Sequence, residues 1–559
     1  MLLGTVVLTA VATGIVWWRA AWIAKHLLRS EAPKSIAVKS GGVYRVEVGR
    51  VRLSLLGRRI TVDSIRLTTD SAVNARRSRP RTTLHLEFQR CAIGGMHMIP
   101  LILGRGLVAE RFGCEGVSAT ADVPGRGPAP NLGGAEPPAP QGAFFTLQQD
   151  VRLPAFAPRV DIARVDFPHV ELDVQLQRGH GGRARVELAH LQWTMSDLMI
   201  DPTDTVASAR PLFSRSVALS AADFIAHPES GSAVRVAGMV ASITDSTVEL
   251  HGISWAPTLG DSAFFRARPY RRSLVKTHIA RLAVRGLDVG GFLLGLGVRG
   301  RGVQVDSLRI DVSSDRRRPA NPRPATRRTP QRWIAELGSS VRIDSVVVRG
   351  GEITYRELRA RHLRPGVLTF ARLSATAFNV RHVDGGRRVG ASVTLRATAY
   401  LQNAGRLDAQ FVAPLDASGF EMSFRGTLGP MPASSLNAFI AEAFAFRLAK
   451  GRVIEIPFAA IVRNGTAEGT ITPRYHDLTL KVTGRGSGGI LASGGVVGDA
   501  ARGIATFVGN ATEMHADNPD DGETTPREGK INHTFTPTET LPAFLWQSLR
   551  EGLFAVVRK

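Results

Sequence analysis

The amino-acid sequence predicts a mainly β protein, built on an elongated antiparallel sheet with few short helices. Three observations lead to this fold class. Apolar and polar residues alternate with a period of two in many segments, which is typical of strands with one solvated face. Gly (57) and Pro (31) are plentiful, as many tight turns require. Aromatic residues make up only 6% of the chain, too few for a helical bundle with a dense aromatic core.

The length of 559 residues predicts several units or one elongated array, since it exceeds that of a single compact domain. The formal net charge of +23 raises the question of a nucleic-acid partner. The basic residues, however, usually alternate with apolar ones, as in Val51-Arg52-Leu53 and Val341-Arg342-Ile343. A strand would place these arginines on its solvated face, where anionic lipid headgroups attract them equally well. A nucleic-acid partner is therefore not favoured.

Residues 1–28 are predicted to form a transmembrane anchor. No charge occurs from Met1 to Trp18, and the run is long enough to cross most of a bilayer. Trp17, Trp18 and Trp22 border Arg19, as at a membrane interface, and are the candidate membrane contacts. No basic residue precedes the run, so the positive-inside rule alone would place the remaining chain in the cytoplasm. A cleaved signal peptide, with residues 10–12 as the small-x-small site, and a buried core helix remain alternatives.

Strands are predicted wherever the period of two recurs. Residues 44–55 alternate with one slip at Gly49-Arg50, and Gly57 lies in a turn before Ile60-Thr61-Val62, so a β-hairpin is expected. The same pattern predicts strands in eight further segments: Val170 to Leu176, Val234 to Val240, Val248 to Ile253, Ile279 to Val284, Val303 to Val312, Val341 to Val348, Ser392 to Leu401 and Leu478 to Val482.

A short internal repeat has the form apolar-Asp-Ser-apolar. It occurs at Val62-Asp63-Ser64-Ile65, Val305-Asp306-Ser307-Leu308 and Ile343-Asp344-Ser345-Val346. Two adjacent polar residues in mid-strand shift the alternation by one, so the strand is expected to bend or bulge there. The aspartates are interpreted as bulge formers, because they recur with the repeat and do not form a catalytic pair.

Composition divides the chain into eight segments. The Pro/Gly-rich linker, the basic Pro-rich linker, and the glycine-rich and polar stretches after residue 484 are all expected to be loose. The boundaries are 1–28 for the anchor, 29–120 for an N-terminal β domain, 121–145 for the first linker, 146–312 for a middle β region, 313–332 for the second linker, 333–485 for a C-terminal β region, 486–535 for a Gly-rich and polar segment, and 536–559 for an amphipathic C-terminal helix.

Two helices are predicted after the anchor. Ser434 or Ser435 can cap the first, whose apolar positions continue to Leu448 before Lys450-Gly451. The second is amphipathic and extends from Thr540 to Val557. It could lie on a membrane surface or dock on the end of the sheet. Its candidate membrane contacts are Phe544, Trp546, Leu549 and Leu553.

No motif calls for catalysis, a metal or a cofactor. The letters of residues 295–300 match a dinucleotide fingerprint, but a strand is predicted after them where that fingerprint requires a helix. Walker A, HExxH and GxSxG sequences do not occur. Cys91 and Cys114 are the two cysteines, and they either form one disulfide or remain buried thiols. We therefore expect no enzyme activity and no cofactor.

The chain resembles the AsmA-like proteins of diderm bacteria. The anchor followed by residues 42–51 is similar to the opening of these proteins, and residues 405–411, 426–428, 450–453 and 475–478 are similar to their C-terminal region. Residues 518–519, 529–531 and 544–552 resemble the tail of DUF748-like and Bacteroidetes-type members. The resemblance covers both ends of the chain well and residues 120–330 poorly.

The resemblance implies a taco-shaped or groove-shaped, curved sheet related to bridge-like lipid transfer proteins. It implies an inner-membrane anchor with most of the chain in the periplasm, and a role in phospholipid traffic and outer-membrane integrity. The expected partners are the inner membrane, phospholipids and other envelope proteins. A scaffold or assembly factor for outer-membrane proteins is the alternative, with the same fold and a sealed interior.

An apolar sheet face left accessible would solvate acyl chains at about 0.8 kcal/mol per buried methylene, with arginines of the outer face and rim meeting headgroup phosphates. From the alternation of residues 44–67 and 392–411, the residues expected to line the groove are Val46, Val48, Val51, Leu53, Leu395, Leu401 and Phe411.

Overall fold

A computed structural model describes residues 29–30, 32–54, 57–76, 82–123, 153, 158–177, 183–204, 210–227, 231–288, 298–319, 321, 341–359, 364–381, 392–415, 419–443, 446–482, 514–536 and 539–558. The predicted anchor at 1–28 and most of the 121–145 linker lie outside these residues. The chain forms two compact units, Met1–Ile253 with Arg285–Gly295, and Ser254–Val284 with Leu296–Lys559. The predicted middle region, 146–312, contributes strands to both units.

The first unit is a sheet of long strands that pair mostly in chain order. Alternating apolar residues form one face and charged residues the other, as the period of two predicts. The strands are β1 (Tyr44–Ser54), β2 (Arg59–Thr69), β3 (Thr83–Gly94), β4 (Leu107–Val123), β5 (Val160–Gln177), β6 (Arg183–Ile200), β7 (Ser216–His227) and β8 (Ser232–Ser242), and β9 (Thr247–Pro257) begins here and ends in the second unit.

The helices of the first unit are short and connect or precede strands. They are α1 (Ala32–Ser40), α2 (Ser71–Ala75), α3 (Met98–Ile102) and a 3-10 turn at Pro211–Phe213. Asp70 caps α2, because its side chain accepts hydrogen bonds from the backbone amides of Ala72 and Val73. The Asp70 carboxyl has a lowered pKa, chiefly because of the Val73 amide bond.

The second unit is also strand-rich. Its pairing continues through β11 to β16 in chain order and then through β18, β19 and β21, while β17 and β20 flank the first half of β18. The strands are β10 (Ser273–Arg285, whose last residue belongs to the first unit), β11 (Val298–Asp315), β12 (Val341–Leu358), β13 (Gly366–Arg381), β14 (Ser392–Leu401), β15 (Gly405–Pro414), β16 (Met422–Leu428), β17 (Met431–Pro432), β18 (Phe446–Arg463), β19 (Thr466–Ile471), β20 (Arg474–Val482) and β21 (Gly529–Thr534).

The helices of this unit are α4 (Asp261–Arg266), a 3-10 turn at Ala433–Leu436, α5 (Asn437–Ala443) and α6 (Leu541–Val557). Thr540 caps α6 by accepting a hydrogen bond from the Ala543 amide, so the predicted start and end of this helix are confirmed. It docks on β19 and β21. Gly529 permits the close approach, since a Cβ there would lie 2.0 Å from the carbonyl oxygen of Gly552 on α6.

The prediction of mainly β structure with few helices is confirmed, but the sheet is mixed and not purely antiparallel. β4 pairs with β5 in parallel, and β11 pairs with β12 in parallel. Parallel neighbours need a connection of about a dozen residues or more. The chain between these strands contains the two predicted linkers, so each linker belongs to the connection between two parallel strands. Composition alone could not distinguish such a connection from a domain boundary.

A row of kinked positions crosses the strands of the first unit. Ser64 on β2 has a φ of 61°, and Gly116 on β4, Asp223 on β7 and Gly252 on β9 also have left-handed φ values. Gly116 suits this place, because its φ is 59° and a Cβ there would lie 2.3 Å from the Gln89 side chain, which would have to move. Such residues interrupt the pleat, so apolar residues keep to one face although their spacing shifts.

The internal repeat therefore marks real distortions. Ser64 and Ser307 have φ values of 61° and 55°, which confirms the predicted bends at these two copies. At the third copy the left-handed residue is Asn379 on β13, which faces Asp344 across the strand pair. Asp63 pairs with Arg52 at 2.7 Å and Asp306 with Arg281 at 3.1 Å. These aspartates hold neighbouring strands together on the charged face.

The helix predicted over 434–450 is only partly present. α5 ends at Ala443, and Leu448 lies in β18, 8% exposed, with its backbone amide bonded to the Asn437 side chain at 2.9 Å. The prediction was wrong for this half because strand pairing with β20 outweighs the local helical spacing of the apolar residues.

The polar stretch Ala516 to Glu528 is not loose, contrary to expectation. Asn518 is fully buried, and its side chain both donates to and accepts from the backbone of Arg527, at 3.1 and 2.7 Å. The Arg527 guanidinium pairs with Asp520 and lowers the pKa of that carboxyl. Burial of Tyr475 in the same network raises its pKa to about 12.

Cys91 on β3 and Cys114 on β4 form a disulfide across the strand pair. Both residues are buried beside Val117 and Val170. Of the two alternatives that the sequence left open, the bonded one is present.

We expect reduction of the disulfide to lower the free energy of unfolding by about 2–4 kcal/mol, because the crosslink restricts the unfolded chain. Denaturant titration with and without reductant measures this shift, and the double variant Cys91→Ala/Cys114→Ala should no longer respond to reductant. An equal denaturation midpoint for oxidised and reduced wild-type protein would contradict this role.

Candidate functional site: an open apolar sheet face

The apolar face of β11 to β14 carries continuous cross-strand rows in the second unit. Paired residues of neighbouring strands point to the same side of a sheet, so each row forms one strip of apolar surface. The rows are Val303–Val346–Ala377–Leu395, Val305–Val348–Ala375–Ala397 and Ile310–Ile353–Phe370–Leu401. We name the surface formed by these rows on β11 to β14 the open apolar face.

Left-handed residues keep this face apolar along the whole strand. On β11 the apolar positions are odd-numbered at Val303 and Val305 and even-numbered from Leu308 onward. Ser307, with a φ of 55°, lies between them, and Gly350, with a φ of 64°, lies at the matching place on β12. A strand without the kink would direct the second half of the apolar set to the charged side.

The side chains of this face are half-buried, and Val305 at 8% exposed is the most enclosed valine among them. Within the described residues, no cluster of buried apolar side chains includes a residue of β11, β12 or β13. α5 contacts β12 and β13, with Phe439 lying 6.1 Å from the Tyr355 ring. The rest of the face retains apolar surface that could contact a ligand.

The same rows become a sealed core further along the sheet. Leu395 pairs with Phe411, Phe411 with Phe424, and Phe424 with Ala460. Phe424 is 2% exposed and lies in a cluster with Phe544 of α6. Among the described residues, the apolar face of β11 to β13 is therefore left uncovered apart from the contact with α5, whereas beyond β14 it belongs to the core that includes Phe544 of α6.

The three groove candidates of this unit are not equivalent. Leu395 lies on the open apolar face. Leu401 packs against Leu428 and Met431, and Phe411 packs against the cluster under α6. They mark the edge at which the face becomes covered.

The groove candidates of the first unit also differ in how far they are buried. Val51 is only 5% exposed and belongs to a packed core, so it does not line an open groove. Val48 and Leu53 are partly buried and pack against the same core. Met96 and Ile243, which lie outside the strands, complete this core. Val46 lies across the kink, half-buried, in a row with Leu67, Leu86 and Ala119.

The prediction of membrane contacts in α6 needs correction, because this helix docks on β19 and β21. Phe544 is fully buried and packs on Phe420 and Phe535 at ring distances of 5.3 and 5.7 Å, so it does not face a membrane. Leu549 and Leu553 pack against the same cluster, whereas Trp546 is 49% exposed. The amphipathic spacing could not distinguish a sheet from a membrane as the apolar partner.

Trp17, Trp18 and Trp22 lie outside the described residues. Within the part of the chain that the structure describes, no helix has the length and apolar character needed to span a membrane.

The opposite face of the sheet carries a polar depression of about 660 Å³ across β13 to β18. Arg425 is held by two hydrogen bonds to the Gln410 side-chain oxygen, at 2.7 and 3.0 Å. Thr398 donates to Asp408 at 2.7 Å, and this bond, together with Arg406, lowers the Asp408 pKa against the effect of burial. The sheet thus carries these charged side chains on the face opposite the apolar one.

An arginine cluster that sequence analysis missed lies where β11 and β12 end. Glu357 is 3% exposed and accepts hydrogen bonds from the Tyr355 hydroxyl at 2.6 Å, Arg359 Nε at 2.7 Å and Arg316 Nε at 3.0 Å. Burial would raise the Glu357 pKa, but Arg316, Tyr355 and Arg359 outweigh it and hold the pKa low. Arg316 lies in the predicted basic Pro-rich linker, where the run of arginines at 316–318 is the sequence signal for this site.

Comparison with protein-family models gives no match to this chain, and comparison with curated proteins gives none. The AsmA-like resemblance therefore rests on the sequence patterns described above.

Proposed function

We propose that this chain is a membrane-anchored, AsmA-like periplasmic protein that binds or conducts phospholipid acyl chains along its apolar sheet face and contributes to outer-membrane lipid homeostasis. The observation that carries the proposal is the open apolar face of β11 to β14. Its rows are apolar on all four strands, and within the described residues the side chains of β11, β12 and β13 join no cluster of buried apolar side chains.

The dimensions of the face suit an acyl chain. A strand rises about 3.3 Å per residue, so the apolar stretch from Val303 to Val312 on β11 extends roughly 30 Å. Four strands about 4.8 Å apart make it roughly 15 Å wide. Each acyl chain occupies half of a hydrocarbon core about 30 Å thick, so one chain fits along the strands.

The energetics favour a chain on such a face without any catalytic group. Each methylene removed from water contributes about 0.8 kcal/mol, and the partly exposed valine and leucine side chains lose water at the same time. The ion-paired face opposite, with contacts such as Arg356 to Asp311 at 2.6 Å, keeps that side of the sheet hydrated. The two faces thus separate acyl chains from solvent.

Site-specific photo-crosslinking tests the proposal. A photoreactive amino acid at Leu395 on the open apolar face is expected to capture phospholipid in cells, because this side chain faces the proposed acyl site. The matched control is Arg396, the next residue on the same strand, which faces the polar depression. A third position, Phe424, lies in the sealed core and should capture none.

Equal capture at Leu395 and Arg396, or none at Leu395, would contradict the proposal. Absence of lipid at every position would favour the alternative of a non-catalytic scaffold with a sealed interior.

A further inference from the structure

The open apolar face ends at the arginine cluster. Its outermost row is Val312–Tyr355–Leu368, where Phe439 of α5 lies 6.1 Å from the Tyr355 ring, and the next paired residues are Ser314, Glu357 and Gly366. Within two residues along the strand, the surface therefore changes from mainly apolar side chains to a buried carboxylate with bound guanidinium groups. We name the arginines around this carboxylate the arginine rim: Arg268, Arg271, Arg316, Arg317, Arg318 and Arg359.

The rim is a connected structure and not a set of separate surface charges. Arg316 and Arg359 bind Glu357, and Arg317 binds both carboxylate oxygens of Asp315, at 2.9 and 2.8 Å. Arg271 donates to the Arg316 carbonyl at 3.1 Å, and Arg318 donates to the Arg268 carbonyl at 2.7 Å. α4 and the ends of β11 and β12 are thereby joined.

The arginine rim has more guanidinium groups than carboxylates. Two carboxylates, Glu357 and Asp315, are both nearly buried and already saturated by Arg316, Arg359 and Arg317. The Nε atoms of Arg271 and Arg318 are buried and have no hydrogen-bond partner among the residues that the structure describes. Burial and the neighbouring Arg316 lower the pKa of Arg271, so the rim is a place where an additional anion would relieve repulsion.

We propose that the arginine rim binds the phosphate group of a phospholipid whose acyl chains lie on the open apolar face. The inference rests on the proposed function and adds the polar half of the ligand. Guanidinium groups bind phosphate oxygens in a bidentate manner, and charge-assisted bonds of this kind are among the strongest in proteins. An apolar strip that ends in cationic donors matches the order of groups in a phospholipid.

The test uses the full chain in a nonionic detergent and two fluorescent lipids with identical acyl chains, phosphatidylglycerol and diacylglycerol. Fluorescence anisotropy measures the affinity for each. Wild-type protein is expected to bind phosphatidylglycerol more tightly than diacylglycerol. Arg271→Gln/Arg318→Gln should weaken phosphatidylglycerol binding by about tenfold for each guanidinium removed and leave diacylglycerol binding unchanged.

The control variant Arg301→Gln/Arg309→Gln removes the same charge from exposed positions of β11 outside the rim and should leave both affinities unchanged. Circular dichroism verifies that both variants fold. The comparison of the two lipids uses wild-type protein alone. It therefore tests the proposal even if a variant fails to fold.

Equal affinity of wild-type protein for the two lipids, or unchanged phosphatidylglycerol binding by the rim variant, would overturn the rim assignment while leaving the proposed function intact. Failure of wild-type protein to bind either lipid would overturn both. Inorganic phosphate that displaces phosphatidylglycerol at equal concentration would identify free phosphate as the ligand and overturn the lipid assignment.

Discussion

Replacing Glu357 with glutamine is expected to lower the free energy of unfolding by about 3–5 kcal/mol. The carboxylate is 3% exposed and neutralises Arg316 and Arg359, so its removal leaves guanidinium charge without a counterion in a poorly hydrated place. The glutamine amide also presents N–H groups where the hydroxyl of Tyr355 and the guanidinium groups donate. Denaturant titration of the full chain measures the loss.

The pH dependence follows from the direction of the pKa shift. The folded-state pKa of Glu357 is depressed, so its contribution to stability is present above the unfolded-state pKa of about 4.3 and is lost as the pH falls through the folded-state value. Glu357→Gln should lack this acid-dependent component. Glu352→Gln, on the same strand and only partly buried, is the control and should change stability by less than about 0.5 kcal/mol. Equal denaturation midpoints for the two variants at neutral pH would contradict the role of Glu357.

Replacing Phe544 with alanine is expected to destabilise the protein by about 3–5 kcal/mol. The ring is fully buried among Phe420, Phe535 and His533, and its loss would leave a cavity between α6 and the strands below. Trp546→Ala on the same helix is the matched control, because Trp546 is 49% exposed, and it should cost less than about 1 kcal/mol.

The pair of variants separates a docked helix from a membrane-bound one. Thermal unfolding and vesicle binding are measured for both. A docked helix predicts that Phe544→Ala lowers the unfolding temperature more than Trp546→Ala does. A membrane-bound helix predicts that both variants lose vesicle binding with little change in unfolding, and that result would contradict the docking described here.

Much of the fold could be predicted from local pattern. The strands follow the period of two because a sheet with one hydrated face needs alternating residues, and all eight further segments predicted in this way are strands. The kinks at Ser64 and Ser307 could be predicted because two adjacent polar residues break the alternation. The cap at Thr540 and the apolar spacing of α6 also follow from local rules.

The rest depends on contacts between residues far apart in sequence. The pairs β4–β5 and β11–β12 are parallel, and each is joined by a long connection. The composition of such a connection does not show whether the strands on its two sides pair with each other. The region around Leu448 has helical apolar spacing but pairs with β20, about thirty residues later. The site shows the same limit, since a single Glu357 in the sequence does not reveal that arginines from two segments surround it.

The central claim is that the open apolar face of β11 to β14 holds phospholipid. Lipid extraction and mass spectrometry of the purified full chain test it most directly, with Val348→Asp/Leu395→Asp as the comparison. Two carboxylates on the face would lose their hydration beneath an acyl chain, which makes lipid binding unfavourable. We predict that wild-type protein retains phospholipid and that the variant, folded by circular dichroism, loses most of it. Equal amounts of lipid bound to the two proteins would contradict the claim.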